Sequence, residues 1–432
     1  MTTPASPSSS PAGSGPLGSG PGLAPDAVPL SGERFHTDPH ALYREMRQRH
    51  GAVVPIVLPG DVPAWLVIGY RELHQLLSDS QLFSRDSDLW NQWDNIPDDW
   101  PLLPMIGHKQ PSILYTVGEA HTRRVAVIND ALEAVDQIEL RKIVEQLADG
   151  LIDRICGQGE AELIGDFATL LPILVLAKIF GFPDEEGPSV GQALHDMIDG
   201  GENAIAGQQH LLGSMRRLLA ARRVRPAADV ASRMLANPRG FSDEELVQDL
   251  MVMSAAGHQP TVDWIGNTLR LMLTDDRFAA SFFGGRNSVA EAMREVLWED
   301  TPSQIIAGRW ATRDTRLADR HIRAGDLLVL GFQGANDDPQ VRVHQHGGSG
   351  GLTGGNNAFF SFSHGDHRCP FPAMEIAEVI ARGGIEVILD RLPDMDLSVP
   401  PASLVRRPSP WLRGMTALPV RFTPTPALGG QR

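Results

Sequence analysis

The sequence predicts a mainly α chain with small β-sheets, folded as a single domain, on three observations. Apolar residues recur at helical spacing in segments near 119–132, 136–156, 162–181, 188–199, 204–223, 242–275 and 287–299. Short alternating stretches at 52–58, 64–68, 305–311 and 321–331 read as strands. After residue 35 no Pro/Gly/Ser linker is long enough to separate two cores, so the 432 residues read as one domain rather than two or three.

Residues 1–30 are rich in Pro, Ser and Gly and lack the basic start and apolar core of a secretion signal, so they read as a disordered tail. The domain proper is expected over 31–425, with a short tail at 426–432. The first two strands lead into a helix near 70–79, and an irregular stretch follows over 83–118. The helical body comes next, then the later strands, then a loop and a last helix reaching about residue 390. No internal repeat is present. Many Arg and Ala with few Lys is the composition of a high-GC bacterium such as an actinomycete.

The chain is 42% hydrophobic, which suits a large core, and has no apolar run of 18 residues that could span a membrane. A net charge of −15 argues against nucleic acid or an anionic membrane as partner. Two cysteines, Cys156 and Cys369, are too few for a disulfide framework and suit a reducing cytoplasm. Cys156 lies in a helical pattern and reads as a packed thiol.

Cys369 reads differently. Residues 359–378, FFSFSHGDHRCPFPAMEIAE, deliver it from a glycine-bearing polar loop to the start of an apolar helix. A helix N-terminus lowers a thiol pKa, and Arg368 and His367 act in the same direction, so Cys369 is a candidate metal thiolate. The order Phe362, Gly365, His367, Cys369 resembles the heme-binding loop of the cytochrome P-450 superfamily. That resemblance, carried by motifs in order over nearly all of residues 35–421, implies the P-450 fold around heme b, with Cys369 as the axial iron ligand.

The long segment 242–275 carries Ala256-Gly257-His258-Gln259-Pro260-Thr261, which resembles the family's oxygen-binding segment. Small residues there let the backbone approach the heme. Helical spacing places Val252, Ala255, Ala256, Gln259 and Pro260 on one face. Relatives have an acid followed by Thr, a proton-relaying pair, where this chain has Gln259 and Pro260. An amide does not titrate, and proline has neither hydroxyl nor N–H. Thr261 offers a hydroxyl one residue late. A simple proline kink explains Pro260 equally well.

In Glu295-Val296-Leu297-Trp298 the family pattern has Glu and Arg three residues apart, forming a buried ion pair. Here Trp298 replaces the arginine, as in a rare bacterial subgroup, so Glu295 must find another partner or face solvent. The resemblance also assigns the heme propionates to His121, Arg309 and His367. The expected third-helix arginine falls on Val125, and Arg124 is the nearest substitute, about a third of a turn away.

The resemblance makes 83–118 the roof of the pocket. Trp90, Trp93 and Trp100 there suit either an aromatic ligand or packing of the loop onto the body. Ile305 and Ile306 supply an apolar wall. Three readings of the chemistry follow. The first is oxygen insertion into a small hydrophobic natural product. The second is oxidative radical coupling of an aromatic substrate, and here Ala-Gly-His-Gln-Pro-Thr with Glu-Val-Leu-Trp resembles actinobacterial enzymes that join tryptophan-containing cyclodipeptides by C–C or C–N bonds. The third is a heme protein that binds a ligand without turnover. Either enzyme reading implies O2 as oxidant and electrons from a separate ferredoxin and its reductase, docking near Arg368 and Arg382, because no flavin or iron–sulfur motif is present. A monomer is expected.

Overall fold

The computed structural model describes residues 26–106, 111–199, 202–275, 278, 286–342 and 356–429. Eleven strands are named in chain order: β1 Val28–Pro29, β2 Val53–Leu58, β3 Val62–Val67, β4 Phe83–Ser84, β5 Glu160–Glu162, β6 Ile306–Ala311, β7 Thr315–Leu317, β8 Arg320–Ile322, β9 Leu327–Leu330, β10 Asp396–Leu397 and β11 Pro419–Arg421. The helices are α1 Arg34–Thr37, α2 Pro39–His50, α3 Tyr70–Ser78, α4 Leu103–Ile106, α5 Gly118–Glu133, α6 Gln137–Ile152, α7 Leu170–Phe180, α8 Gly187–Asp199, α9 Ala204–Val224, α10 Val230–Ala236, α11 Asp243–Thr274, α12 Arg286–Glu299, α13 Phe332–Asn336, α14 Pro339–Arg342 and α15 Phe371–Arg391. No helix among the described residues is long and apolar enough to cross a membrane.

Six strands form one sheet in the order β1-β2-β3-β9-β6-β4, in which β2 and β3 pair antiparallel and β3 and β9 pair parallel. A three-stranded sheet, β10-β11-β5, and the hairpin β7-β8 complete the β structure. The strand expected over 321–331 divides in two because Gly325 turns the chain at φ +80°. Of the expected N-terminal tail, residues 1–25 lie outside the described residues, whereas Val28–Pro29 pairs with β2 and Leu30 is buried. At the other end, the Leu428 and Gly429 amides donate to the Asp153 carboxylate at 2.9 and 2.8 Å, so the expected C-terminal tail is tied to the body.

The core lies between helices. α6, α7 and α11 pack around α15, whose buried face carries Ile376, Ile380, Ile385 and Ile388. Two glycines inside α15 let the helices close. A Cβ at Gly384 would lie 2.3 Å from Leu171 Cδ2, and one at Gly383 would lie 2.8 Å from Val144 Cγ1. The helical cost of glycine is therefore offset by interhelical contact. α11 begins with a capping box, in which Ser242 Oγ accepts from the Glu245 amide and the Glu245 carboxylate accepts from the Ser242 amide.

α11 also carries a fully buried histidine, His258, whose Nε2 lies 3.1 Å from the Thr169 carbonyl at the start of α7. Burial pushes its imidazole down to about 4.

Two predictions concern stability. Gly384→Ala forces a methyl against Leu171 and is expected to destabilise the fold by about 1–3 kcal/mol, read as a lower urea midpoint. The unfolded chain protonates His258 near pH 6.5 and the folded chain only near 4. Its contribution is therefore complete above pH 6.5 and is lost as pH falls toward 4, to about 3 kcal/mol. His258→Gln keeps a donor to Thr169 and is expected to flatten that part of the stability–pH curve relative to the native chain.

Candidate functional site

The cysteine loop is held from both sides. Its ring residues Phe359 and Phe362 pack on Trp298 and Trp264, with ring centroids 5.8 Å apart in each pair. Gly365 takes φ +74°, and a Cβ there would lie 2.1 Å from the Leu77 carbonyl oxygen, so the loop passes against the end of α3 in a way only glycine permits. Ser363 is also left-handed, at φ +64°. The Cys369 amide donates to the Phe362 carbonyl at 2.9 Å, which closes the loop two residues before α15.

Cys369 keeps partial exposure, yet enough protein surrounds its sulfur for burial to push the thiol up to about 12. This reverses the sequence expectation, since desolvation outweighs the nearby helix end and Arg368. A thiolate there needs a cation bound to it. The iron of heme supplies that charge, so the donor chemistry fits.

A second feature fits the group's other end. His121 on α5 and His367 in the loop stack at 3.8 Å, with His121 Nε2 3.2 Å from the Asp366 carbonyl and His367 Nε2 3.0 Å from the Thr116 carbonyl. Both Nδ1 atoms are buried without a partner, as are Nε and Nη1 of Arg309 on β6 and Nε of Arg85 after β4. Burial pushes His367 down to about 2 and Arg85 down to about 10, and it lowers Arg309, with neighbouring cations adding to the shifts of His367 and Arg309. The unpaired arginine N–H groups are costly to bury, and two carboxylates would satisfy them while drawing a proton onto each histidine Nδ1. Heme propionates are such carboxylates, and His121, His367 and Arg309 are the residues the sequence assigned to them.

Arg124 corrects that assignment. Its guanidinium bonds both carboxylate oxygens of Asp249, Glu245 and the Pro111 carbonyl, so two acids on α11 already hold its charge. Arg85 joins the unpaired group instead. Sequence reading passed over it because an arginine in the polar run Ser84-Arg85-Asp86-Ser87 looks like a solvated surface charge.

The middle of α11 differs in detail from its expected face. Val252, Met253, Gly257 and Pro260 are partly open, and Ala256 is exposed. Ala255 is partly buried against the helical core. Gln259 is buried, and its amide donates to Asp263 Oδ1 at 3.0 Å, while Arg407 approaches Asp263 Oδ2 at 3.2 Å. Gly414 makes room for this, since a Cβ there would lie 2.0 Å from Asp263 Oδ1. The Thr261 hydroxyl donates to the Gly257 carbonyl at 2.7 Å. Neither Gln259 nor Thr261 thus offers a free titrating group.

Trp298 is fully buried, with Nε1 donating to the Asn356 carbonyl at 3.1 Å. Around it the last carbonyls of α12 are capped by side chains: Gln333 donates to Trp298, and Asn336 and Ser361 donate to Leu297, at 3.2, 3.0 and 2.6 Å.

The tryptophans resolve toward packing. Trp90 and Trp93 meet edge-on at 5.1 Å, Trp90 and Trp100 lie 5.9 Å apart, and all three belong to the cluster against β2 and β3. Trp90 is buried and Trp93 Nε1 is committed to the Ser87 carbonyl, which corrects their placement as pocket walls. Ile305 is buried in this same cluster, and Ile306 is partly buried against the opposite one. The Ile305 amide donates to the Trp411 carbonyl at 3.1 Å, which brings the unpredicted segment Trp411-Leu412 beside the site.

No family model matches the chain. The polyketide biosynthesis cytochrome P-450 PksS of Bacillus subtilis (strain 168) is 24% identical over 415 residues, covering 91% of this chain and 98% of that protein. The cytochrome P-450 monooxygenase PikC of Streptomyces venezuelae is 25% identical over 399 residues, covering 90% and 92%. Among solved structures, CYP154C4 from Streptomyces sp. W2061 superposes with a TM-score of 0.80 at 24% identity, covering 94% of this chain and 99% of that one.

Replacing Cys369 by Ser is expected to abolish the thiolate-type spectrum of the reduced CO complex while leaving the helical signal intact. Retention of that spectrum would refute the ligand assignment.

Proposed function

We propose that this chain, an oxidoreductase of the cytochrome P-450 superfamily that carries heme b, joins two molecules of an aromatic N–H natural product by a C–C or C–N bond, with tryptophan-containing cyclodipeptides as the substrates that fit best. The observation that carries this is the state of three consecutive residues on α11. Gln259 is bound to Asp263, Pro260 has no hydroxyl, and the Thr261 hydroxyl is spent on Gly257. Protons for oxygen must therefore come through water or from the substrate itself, which favours a substrate with transferable hydrogens of its own. The motif resemblance of Ala256–Thr261 with Glu295–Trp298 supports the cyclodipeptide class.

When bound, heme supplies the oxidation of substrate by O2. This chain's residues anchor and surround it: Cys369 as ligand, with Arg85, His121, Arg309 and His367 toward the propionates. Coupling breaks one C–H or N–H bond in each of two substrates and forms one bond between them. The two hydrogens removed from the substrates, one O2, two supplied electrons and two protons leave together as two waters. The electrons come from a ferredoxin and its reductase, docking on the cysteine side. There Arg368 is exposed, whereas Arg382 shares its charge with Glu386 at 2.8 Å. Two unpaired cysteines agree with action in the cytoplasm, and we take the chain to act as a monomer.

A second reading, oxygen insertion, is favoured by the monooxygenase name that PikC carries. It uses the same O2 and electrons but gives one hydroxylated substrate and one water.

Product mass separates the readings. Purified protein is incubated with surrogate ferredoxin, reductase, NADPH and a panel of tryptophan-containing cyclodipeptides. The expected product is a dimer lighter by two hydrogens than two substrates. A monomer heavier by one oxygen establishes insertion, and no product across the panel removes the cyclodipeptide assignment.

A further inference from the structure

We infer that the main-chain carbonyl of Ala256 is the acceptor that seats a neutral N–H group of the substrate, of the indole or lactam kind. The inference builds on the proposed aromatic N–H substrate and adds the atom that recognises it. In a helix the carbonyl of residue 256 is bonded by the N–H of residue 260. Residue 260 is proline and has no N–H, so α11 leaves this carbonyl without its helical donor.

The position is also open. Apart from Asp243 at its first turn, Ala256 is the one exposed residue of α11, in the middle of a helix that is otherwise buried or partly buried. Its methyl side chain cannot cover its own oxygen. The two neighbours with suitable donors are committed elsewhere, Gln259 Nε2 to Asp263 and Thr261 Oγ1 to the Gly257 carbonyl. This carbonyl lacks its helical donor, so a ligand that supplies one gains that contact selectively.

The surroundings select the donor. Asp263, the carboxylate one turn beyond Gln259, is buried and already takes Gln259 and Arg407, so it does not recruit a cation to the open face. Val252, Met253 and Gly257, the apolar neighbours of Ala256 along α11, are partly open. An apolar surface with one acceptor matches a flat aromatic ring with one N–H better than an ammonium group or a polyol.

The test uses heme-loaded protein, native and Pro260→Ala, the latter restoring the missing N–H with a good helix former. Binding is read from the heme absorption shift. One probe pair is indole and 1-methylindole. The other is a tryptophan-containing cyclodipeptide and its indole N-methyl form. The native protein is expected to prefer each N–H probe by about tenfold, the worth of one hydrogen bond. Pro260→Ala should bring the ratio near one by weakening the N–H probe alone. A crystal structure with indole should place its nitrogen within about 3.2 Å of the Ala256 oxygen.

A ratio near one in the native protein, a ratio that survives in Pro260→Ala, a carbonyl capped by the Thr261 N–H, or no binding by any probe overturns the inference. If the indole pair behaves as expected and the cyclodipeptides do not bind, the inference stands and the cyclodipeptide assignment falls. If the cyclodipeptides are coupled equally well with and without the N-methyl group, the reverse holds.

Discussion

The constraint on which the site depends is the burial of positive and hydrogen-bond-donating groups without acids to match them. Arg85, Arg309, His121 and His367 converge from β4, β6, α5 and the cysteine loop, and several of their nitrogens lack an acceptor among the described residues. Elsewhere among the described residues, buried arginines meet buried acids. Asp300 takes Arg270, Arg406 and Arg413, and Asp249 takes Arg124. The contrast marks the unpaired group as a place kept for an anionic ligand, since an empty arrangement of this kind would penalise folding. One heme would answer two separate deficits, its metal as the cationic partner of Cys369 and its propionates as carboxylate partners for these four residues. Loading with heme is therefore also a stabilising event.

Trp298 shows how the loop holds its place without the Glu–Arg ion pair that the motif resemblance implies at this point. The buried indole spans the gap by one hydrogen bond to Asn356 and an edge contact with Phe359, and amide and hydroxyl side chains from α13 and the loop cap the end of α12. Neutral donors of short reach suit a dry position, where an arginine would need a desolvated partner. The loop is thereby fixed to the helix that precedes β6, the strand that carries Arg309. Cys369 and Arg309 are thus positioned by one connected unit.

How much of this was legible in the sequence depended on periodicity. α11 was expected over 242–275 and runs Asp243–Thr274, because a capping box and thirty residues of apolar repeat define it locally. α2 and α10 were not anticipated; α10 is only seven residues between polar segments. The third sheet was missed because β5 and β10 are three and two residues long and pair only through the distant β11. At the site, the meeting of His121, His367 and Arg309 beside the Cys369 loop was legible through motif order. Arg85 and the engagement of Arg124 by Asp249 were not, since burial of a cation is set by what packs over it and not by its neighbours in sequence. The roof tryptophans read equally as ligand contacts or packing, and the structure chose packing.

Pro260 unites the loss and the gain in this active site. A threonine there would donate a hydroxyl toward oxygen and an amide into the helix. Proline withholds both, and the same substitution that removes a proton donor uncovers an acceptor at Ala256. Gln259 completes the exchange by turning its amide to Asp263, which keeps a carboxylate charge behind the helix and off the open face. A site arranged in this way is poor in proton donors of its own and receptive to donors on the ligand. That is the polarity expected where the substrate brings the hydrogens to be removed, and the opposite of one built to supply protons to oxygen while the substrate stays inert.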